Sequence, residues 1–383
     1  MYDNLPLPYL FFLPMLLSSP FFQAGTIANP PAGSFPTGAF PLLGATTFRN
    51  AYIQPNPSRS YVMQWNFNIQ HELKSGTSFM AGYAGSHGVH LPIFINDFNL
   101  VLPTATPQGW LWPTPAGTRI NPAVGQISGI LWNDSSVYHA LQVQVNQRLS
   151  HGLQASVSYT FAKSIDSGSA SLAQDTFTNS VPSLWFDPKG SRGPSDFDIR
   201  HTLTFNYIYH LPSLTQGSGV LRGIVNGWQW GGLFRASTGT PFTPTIGGDP
   251  LGQKAPGGTF DRPNVVPNCG PLTFSNPRHY INTACFSFPN PATLFGNAGR
   301  NIIPGPNLVD LDTSLFKNIQ LVEAVRMQFR AEIFNLLNHP NFNPPVTNTS
   351  IFGANGAPVA TAGLIASTAT TSRQVQFGVK LIW

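Results

Sequence analysis

Residues Gln374 to Trp383 alternate at every position but Ile382: Val375, Phe377, Val379, Leu381 and Trp383 lie on one parity, Gln374, Gln376, Gly378 and Lys380 on the other. A period of two sends these sets to opposite faces of a β-strand. One face is apolar and closes on a tryptophan, and the other is polar. A strand between hydrocarbon and water needs this arrangement, with an aromatic ring at the boundary. Half-buried soluble strands alternate too, so the rest of the sequence has to decide.

Composition narrows the choice. Charged residues are 9% and aromatics 12% of the 383, against about 25% charged in soluble domains. Yet no run approaches the roughly 18 to 20 uninterrupted apolar residues of a spanning helix. A surface that is apolar without long apolar runs is what membrane strands provide. The 36 Gly and 36 Pro concentrate between the alternating segments, as turns and loops require. The net charge of +5 is spread along the chain with no basic cluster, so nucleic acid is not an expected partner. Leu10 to Leu17 has the apolarity of a signal-peptide core, but Asp3 precedes it without any Lys or Arg, and Pro6, Pro8 and Pro14 break the stretch. These features argue against a signal peptide.

Nine segments read as strands. Residues 61 to 73 set Tyr61, Met63, Trp65, Phe67 and Ile69 against Gln64, Asn66, Asn68 and Gln70, and the next segment carries Phe79, Ala81 and Tyr83. Residues 137 to 149 set Leu141, Val143 and Val145 against Gln142, Gln144, Asn146 and Arg148; Leu153 to Phe161 follows in the same style. Segments at 201 to 210, 227 to 238, 309 to 319, 323 to 336 and the terminal strand complete the set. In 323 to 336, Val325, Phe329, Ile333 and Leu336 also fit a helix, but Met327, Phe329, Ala331 and Ile333 alternate against Arg326, Gln328, Arg330 and Glu332, which favours a strand.

Tight connections at Lys74 to Gly76, Ser150 to Gly152 and Gln320 to Leu321, with a moderate one at 211 to 226, alternate with long excursions at 91 to 134, 165 to 196, 239 to 307 and 338 to 370. Short periplasmic turns and long extracellular loops are the outer-membrane pattern. Residues 1 to 60, rich in Pro and Gly, then fall outside the cell as a loop, with 61 to 383 forming the barrel wall. An odd number of antiparallel strands cannot close with every neighbour antiparallel, and an open edge in lipid leaves backbone groups unpaired. The expected fold is therefore all-β: a partial transmembrane antiparallel β-barrel, about nine C-terminal strands of a larger one.

Candidate chemistry is sparse. Asp196 with Asp198, and Asp310 with Asp312, are spaced like paired carboxylates but are read as facing water and pairing with Arg192, Arg200 or Lys317. His87 and His90 are read as loop histidines, since no Cys or carboxylate cluster accompanies them. No nucleophile elbow, P-loop or dinucleotide fingerprint occurs, so neither an enzyme nor a cofactor or metal site is expected. Cys269 and Cys285, the only cysteines, share one long loop and are read as a disulfide that shapes it. The polar parity (Gln64, Asn66, Asn68, Gln70, Gln142, Gln144, Asn146, Arg148, Arg326, Gln328, Arg330 and Glu332) is assigned to the lumen, where amides suit hydration and plug contacts, or hydroxylated solutes.

The ordered stretches YVMQWNFNIQHEL, AGYAGSHGVHL, YHALQVQVNQRLSHGLQASVSYTFAKSID, SDFDIRHTLTFNYIYHLP, STGTPF, LDTSLFKN and FRAEIFNLLNHPNF resemble the C-terminal barrel half of TonB-dependent receptors, most closely the large Oar-like kind of Acidobacteria, from about Tyr61 to Trp383. The resemblance implies a barrel of about twenty-two strands, a plug, and a TonB box for energy coupling. None of these N-terminal parts is read in this sequence, so transport, and contact with the TonB complex, are expected to need them in addition. The resemblance also implies that the last strand, with Phe377, Val379, Leu381 and Trp383, is the signal read by the barrel-assembly machinery. The expectation is a receptor segment in the cell outer membrane, surrounded by lipid and serving an unknown bulky solute. A surface protein displaying loops for adhesion is the alternative; a soluble β-rich secreted protein, a third reading, would purify without detergent.

Overall fold

The computed structural model of the chain describes residue 32 and residues 48–95, 97–122, 124–169, 184–213, 216–252, 261–322 and 325–383. The stretch Leu10 to Leu17 and most of the segment 1 to 60 lie outside the described residues.

All nine alternating segments are strands: β1 (Tyr61–Lys74), β2 (Thr77–Ile95), β3 (Val124–Ser150), β4 (Leu153–Asp166), β5 (His201–His210), β6 (Trp228–Ser237), β7 (Leu308–Val322), β8 (Val325–Phe334) and β9 (Gln374–Ile382). Each pairs antiparallel with its neighbour in sequence, giving an up-and-down meander with β1 and β9 at the two edges. This is a partial barrel wall rather than a closed barrel. The ambiguous segment becomes β8 because it is zipped on both sides: Phe329 lies opposite Lys317 of β7 and Val379 of β9. Two rows of strand partners outweigh an intrinsic helical period.

Turn chemistry at one end is tight. His151 and Gly152 join β3 to β4 with both φ values positive, 51° and 81°, as a two-residue hairpin with the strand-matching twist demands. A Cβ on Gly152 would also come within 2.7 Å of the His210 carbonyl. The β7–β8 turn falls later than expected: Gln320 and Leu321 belong to β7, which runs to Val322.

Two departures concern the other end. β2 and β3 run beyond their expected lengths, and the sequence Phe48–Ile53 adds to Val124–Ile130 of β3 in parallel. The alternation there is broken by bulges between Val89 and Pro92, which hides the strands from a periodicity reading. The expected loops are also not open excursions. They pack into a cap that contains most of the buried apolar side chains of the described residues. One cluster joins Phe242, Ile281, Cys285, Phe286, Ile303 and Ile351; another joins Trp112, Leu184, Leu251 and Phe295. Cys269 and Cys285 are disulfide-bonded beside the first cluster. A single-layer sheet wetted by different solvents on its two faces has no core of its own, so burial concentrates in this cap.

Candidate functional site

Following partners across the sheet shows which side chains share a face. One row runs Gln70, Met80, Gln144, Ser158, Thr204, Arg235 and Asp310. Nearer the short-turn end another runs Gln154, Ile208, Gly231, Ser314, Glu332 and Gln376. Gln64, Asn66, Asn68, Gln70, Gln142, Gln144, Asn146, Arg326, Gln328, Arg330 and Glu332 all fall on this face through such partner chains. Arg148 has the same parity on β3, just past the last regular pair. The amides are tied laterally: Ser156 Oγ donates to Asn146 Oδ1 at 2.6 Å, Gln328 Nε2 to Asn318 Oδ1 at 2.9 Å, and Arg330 Nε to Gln328 Oε1 at 2.6 Å. Between the amides lies a band of hydroxyls, Ser156, Ser158, Thr160, Thr202 and Thr204, and apolar Met80, Leu233 and Phe316 interrupt it. The face is polar and mixed rather than a uniform amide wall.

The opposite face carries Trp65, Phe67, Tyr83, Leu141, Val143, Tyr159, Phe161, Leu203, Phe205, Tyr207, Phe329 and Phe377, and Phe67 and Phe377 are the most exposed of this set. Rings gather at two levels. Tyr209, Trp228 and Trp230 lie near the short turns, while Trp65, Tyr83, Tyr159, Phe161, His139 and His201 lie toward the cap, where the Tyr83 hydroxyl is 2.6 Å from His139 Nδ1 and the Tyr159 hydroxyl 2.8 Å from His201 Nδ1. Leu153, opposite Tyr209, and Phe161, opposite His201, are separated by roughly 26 Å of strand at about 3.3 Å per residue. Tilted by about 40°, that is roughly 20 Å of height, close to the apolar band of a membrane barrel. Trp65 lies across Gly85, where a Cβ would meet its ring at 2.4 Å.

Several sequence assignments are corrected by burial. The carboxylates expected to face water are mostly enclosed: Asp198 accepts from the Ser164 N–H at 2.6 Å and pairs with Lys163 and Arg200, and Asp310 pairs with Arg235 at 2.6 Å. Lys317 meets none of them. Its Nζ donates to the carbonyls of Gly223, Ile224 and Asn226 at 2.7, 2.8 and 2.5 Å. His87 and His90 belong to strand β2 rather than to a loop, and a bulge begins beside His90.

Inside the cap, Arg300 is a hub that sequence reading missed. It is 3% exposed and reaches Asp166, the Ser191 carbonyl at 3.1 Å, the Gly193 carbonyl at 3.3 Å, Ser169 Oγ at 3.1 Å and Asp196 at 3.5 Å. Asn301 adds bonds to Asp196 Oδ1 at 2.6 Å and to the Pro194 carbonyl at 2.8 Å. Three segments distant in sequence are thereby joined, and no local pattern announces it. Beside them Asp134 has its pKa raised by burial, with hydrogen bonds from Ser167 and Ser135 opposing that shift. Burial and, secondarily, Arg300 lower the Arg262 guanidinium to about 9, so it stays charged at neutral pH. Burial likewise pushes Tyr280 up to about 12 while its hydroxyl donates to the Pro304 carbonyl.

A family model described as an outer membrane beta-barrel domain matches residues 1–376. No curated protein matches. Among solved structures, the outer membrane transporter YddB from Escherichia coli is similar at 9% identity and a TM-score of 0.44, covering 87% of this chain and 34% of that one. The FrpB iron transporter from Neisseria meningitidis (F3-3 variant) is similar at 10% identity and a TM-score of 0.38, covering 90% and 34%. The pyoverdine outer membrane receptor FpvA from Pseudomonas aeruginosa PAO1, bound to pyoverdine, is similar at 11% identity and a TM-score of 0.37, covering 84% and 30%. The chain thus spans about a third of the length of each.

Proposed function

We propose, for a chain that belongs to the outer membrane beta-barrel domain family and lies in the outer membrane, that it is the C-terminal wall of a TonB-dependent receptor of the Oar-like kind, importing a bulky solute once the remaining strands, a plug and a TonB box complete it. The observation that carries this reading is the open nine-strand meander. Edge strands β1 and β9 each present a row of backbone donors and acceptors, and every such group unpaired in hydrocarbon costs several kcal/mol. Pairing the two edges to each other would be parallel in a nine-strand meander. Further antiparallel strands between them satisfy both edges.

On this reading residues 61–383 are wall and cap, residues 1–60 belong to the extracellular side, and the mixed amide and hydroxyl face lines the lumen. Phe377, Val379, Leu381 and Trp383 form the strand handed to the barrel-assembly machinery. The TonB complex is met only through the completed N-terminal parts, and no catalytic role is assigned. The disulfide-bonded, densely packed cap also supports a second reading, a surface protein that displays this cap for adhesion without transport.

The test is the native polypeptide. Its mass, determined from outer membranes, and solute uptake with and without TonB are the two readouts. A polypeptide much larger than 41.5 kDa that carries a plug and shows TonB-dependent uptake supports the receptor. A stable 41.5 kDa membrane protein whose β1 and β9 edges crosslink to each other overturns it and leaves display.

A further inference from the structure

The connection between β5 and β6 is the long one at the short-turn end. It contains the helix Gly219–Val225, capped at its start by Ser218, whose side chain accepts from the Leu221 N–H. None of its residues is buried, and Val220, Leu221 and Ile224 are 75%, 45% and 62% exposed. At 100° per residue those three side chains and Val225 share one side of the helix, with Arg222 and Gly223 on the other. An exposed apolar side on a seven-residue helix needs an occupant, because so short a helix is marginal in water by itself.

The clamp at its C-terminus shows where that side lies. Lys317 stands opposite Trp228 and Phe329, on the apolar face of the sheet. The residue is nevertheless only 6% exposed: the Gly223, Ile224 and Asn226 carbonyls accept from its ammonium, and the Trp228 ring centroid lies 5.1 Å from Nζ. Trp228 Nε1 donates to the same Ile224 carbonyl at 2.9 Å. A cation at the C-terminal end of a helix meets its negative pole, and a lysine on a lipid-exposed face requires such partners. The helix is therefore held on the outside of the wall, level with the inner aromatic belt, and not over the lumenal face.

We propose that Gly219–Val225 is an interfacial anchor seated in the periplasmic leaflet, with Val220, Leu221 and Ile224 among the upper acyl segments and Arg222 at the lipid phosphates. The lipid is the occupant because the apolar side continues the apolar face of a chain that lies in the outer membrane. Its Trp228 and Lys317 fastenings are the residue types that settle at a membrane boundary.

The test uses the whole chain reconstituted in phosphatidylethanolamine–phosphatidylglycerol vesicles. Because Cys269 and Cys285 are paired, a new cysteine at Val220, Ile224, Arg222 or, as an insertion control, Val379 can carry an environment-sensitive fluorophore. Shallow spin-labelled lipid should quench positions 220, 224 and 379 several-fold more than position 222, and iodide should show the reverse order. Quenching at 379 together with equal iodide access at 220, 222 and 224 overturns the anchor while leaving the wall intact. Absence of lipid quenching at 379 overturns the membrane placement and the anchor with it. Lys317→Met should abolish the contrast between 220 and 222, and persistence of that contrast overturns the role of the clamp.

Discussion

Replacing Arg300 by Met gives the sharpest reading of what holds the cap together. The guanidinium is buried, pairs with Asp166 and Asp196, and satisfies the carbonyls of Ser191 and Gly193. Methionine fills much of the volume but leaves a buried carboxylate uncompensated and at least two carbonyls without their donor. Removing one partner of a buried pair costs roughly 3–5 kcal/mol. That is roughly two to three and a half decades in the equilibrium for opening the cap, at about 1.4 kcal/mol per decade. Hydrogen exchange of detergent-solubilised protein, followed by mass spectrometry, reads this directly. Peptides spanning 184–200 and 295–305 should exchange faster by that factor, whereas β4, β5 and β6 should keep their protection because their partners are other strands. Arg300→Lys should fall between, since one ammonium cannot span the bonds of the planar fork. Adding Asp166→Asn to Arg300→Met should recover part of the loss by removing the stranded charge. Less than about one decade of change in the cap peptides refutes the reasoning, because it would mean that water already reaches the hub and pays no desolvation penalty.

Other perturbations address separate parts. Asp134 has a raised native pKa, so the native state binds more protons than the unfolded chain between the ordinary carboxyl value and the raised one. Stability should fall as pH rises through that window, and Asp134→Asn should stabilise the cap more at pH 7 than at pH 4 in paired melting curves. Replacing Cys269 and Cys285 by Ser should release up to about 3 kcal/mol of loop constraint, seen as faster proteolysis within 266–303 and no change in the strands. Val157→Arg places a charge on the apolar face near mid-height and should cost about 2–4 kcal/mol in folding into lipid vesicles. Ser158→Arg, its neighbour on the polar face, should be nearly neutral; equal costs would contradict the face assignment. Phe377→Ala should lower the heat-modifiable, protease-resistant fraction in outer membranes if the last strand is the assembly signal, and an unchanged fraction counts against that role.

The wall was legible because a membrane strand is specified locally. Each of the nine segments carries its own alternation, and a solvent on each face enforces it residue by residue, so Gln142 and Val143 declare their sides without reference to anything distant. Even β8, ambiguous alone, is resolved by the company of β7 and β9. The cap obeys a different rule. Phe242, Ile281, Ile303 and Ile351 share one cluster across more than a hundred residues, and Arg300 meets Asp166 from as far away; neither contact leaves a period in the sequence. Charge at membrane depth marks the boundary between the two regimes. Lys317 keeps the parity of an apolar position, and a reading by face alone makes it a misplaced cation seeking a carboxylate. Its actual partners are carbonyls at the end of a helix that begins ninety-eight residues earlier, at Gly219. A lysine that interrupts an apolar parity near a turn is therefore better treated as a request for backbone acceptors than for an ion pair. In hydrocarbon the end of a helix supplies such acceptors without adding a second charge.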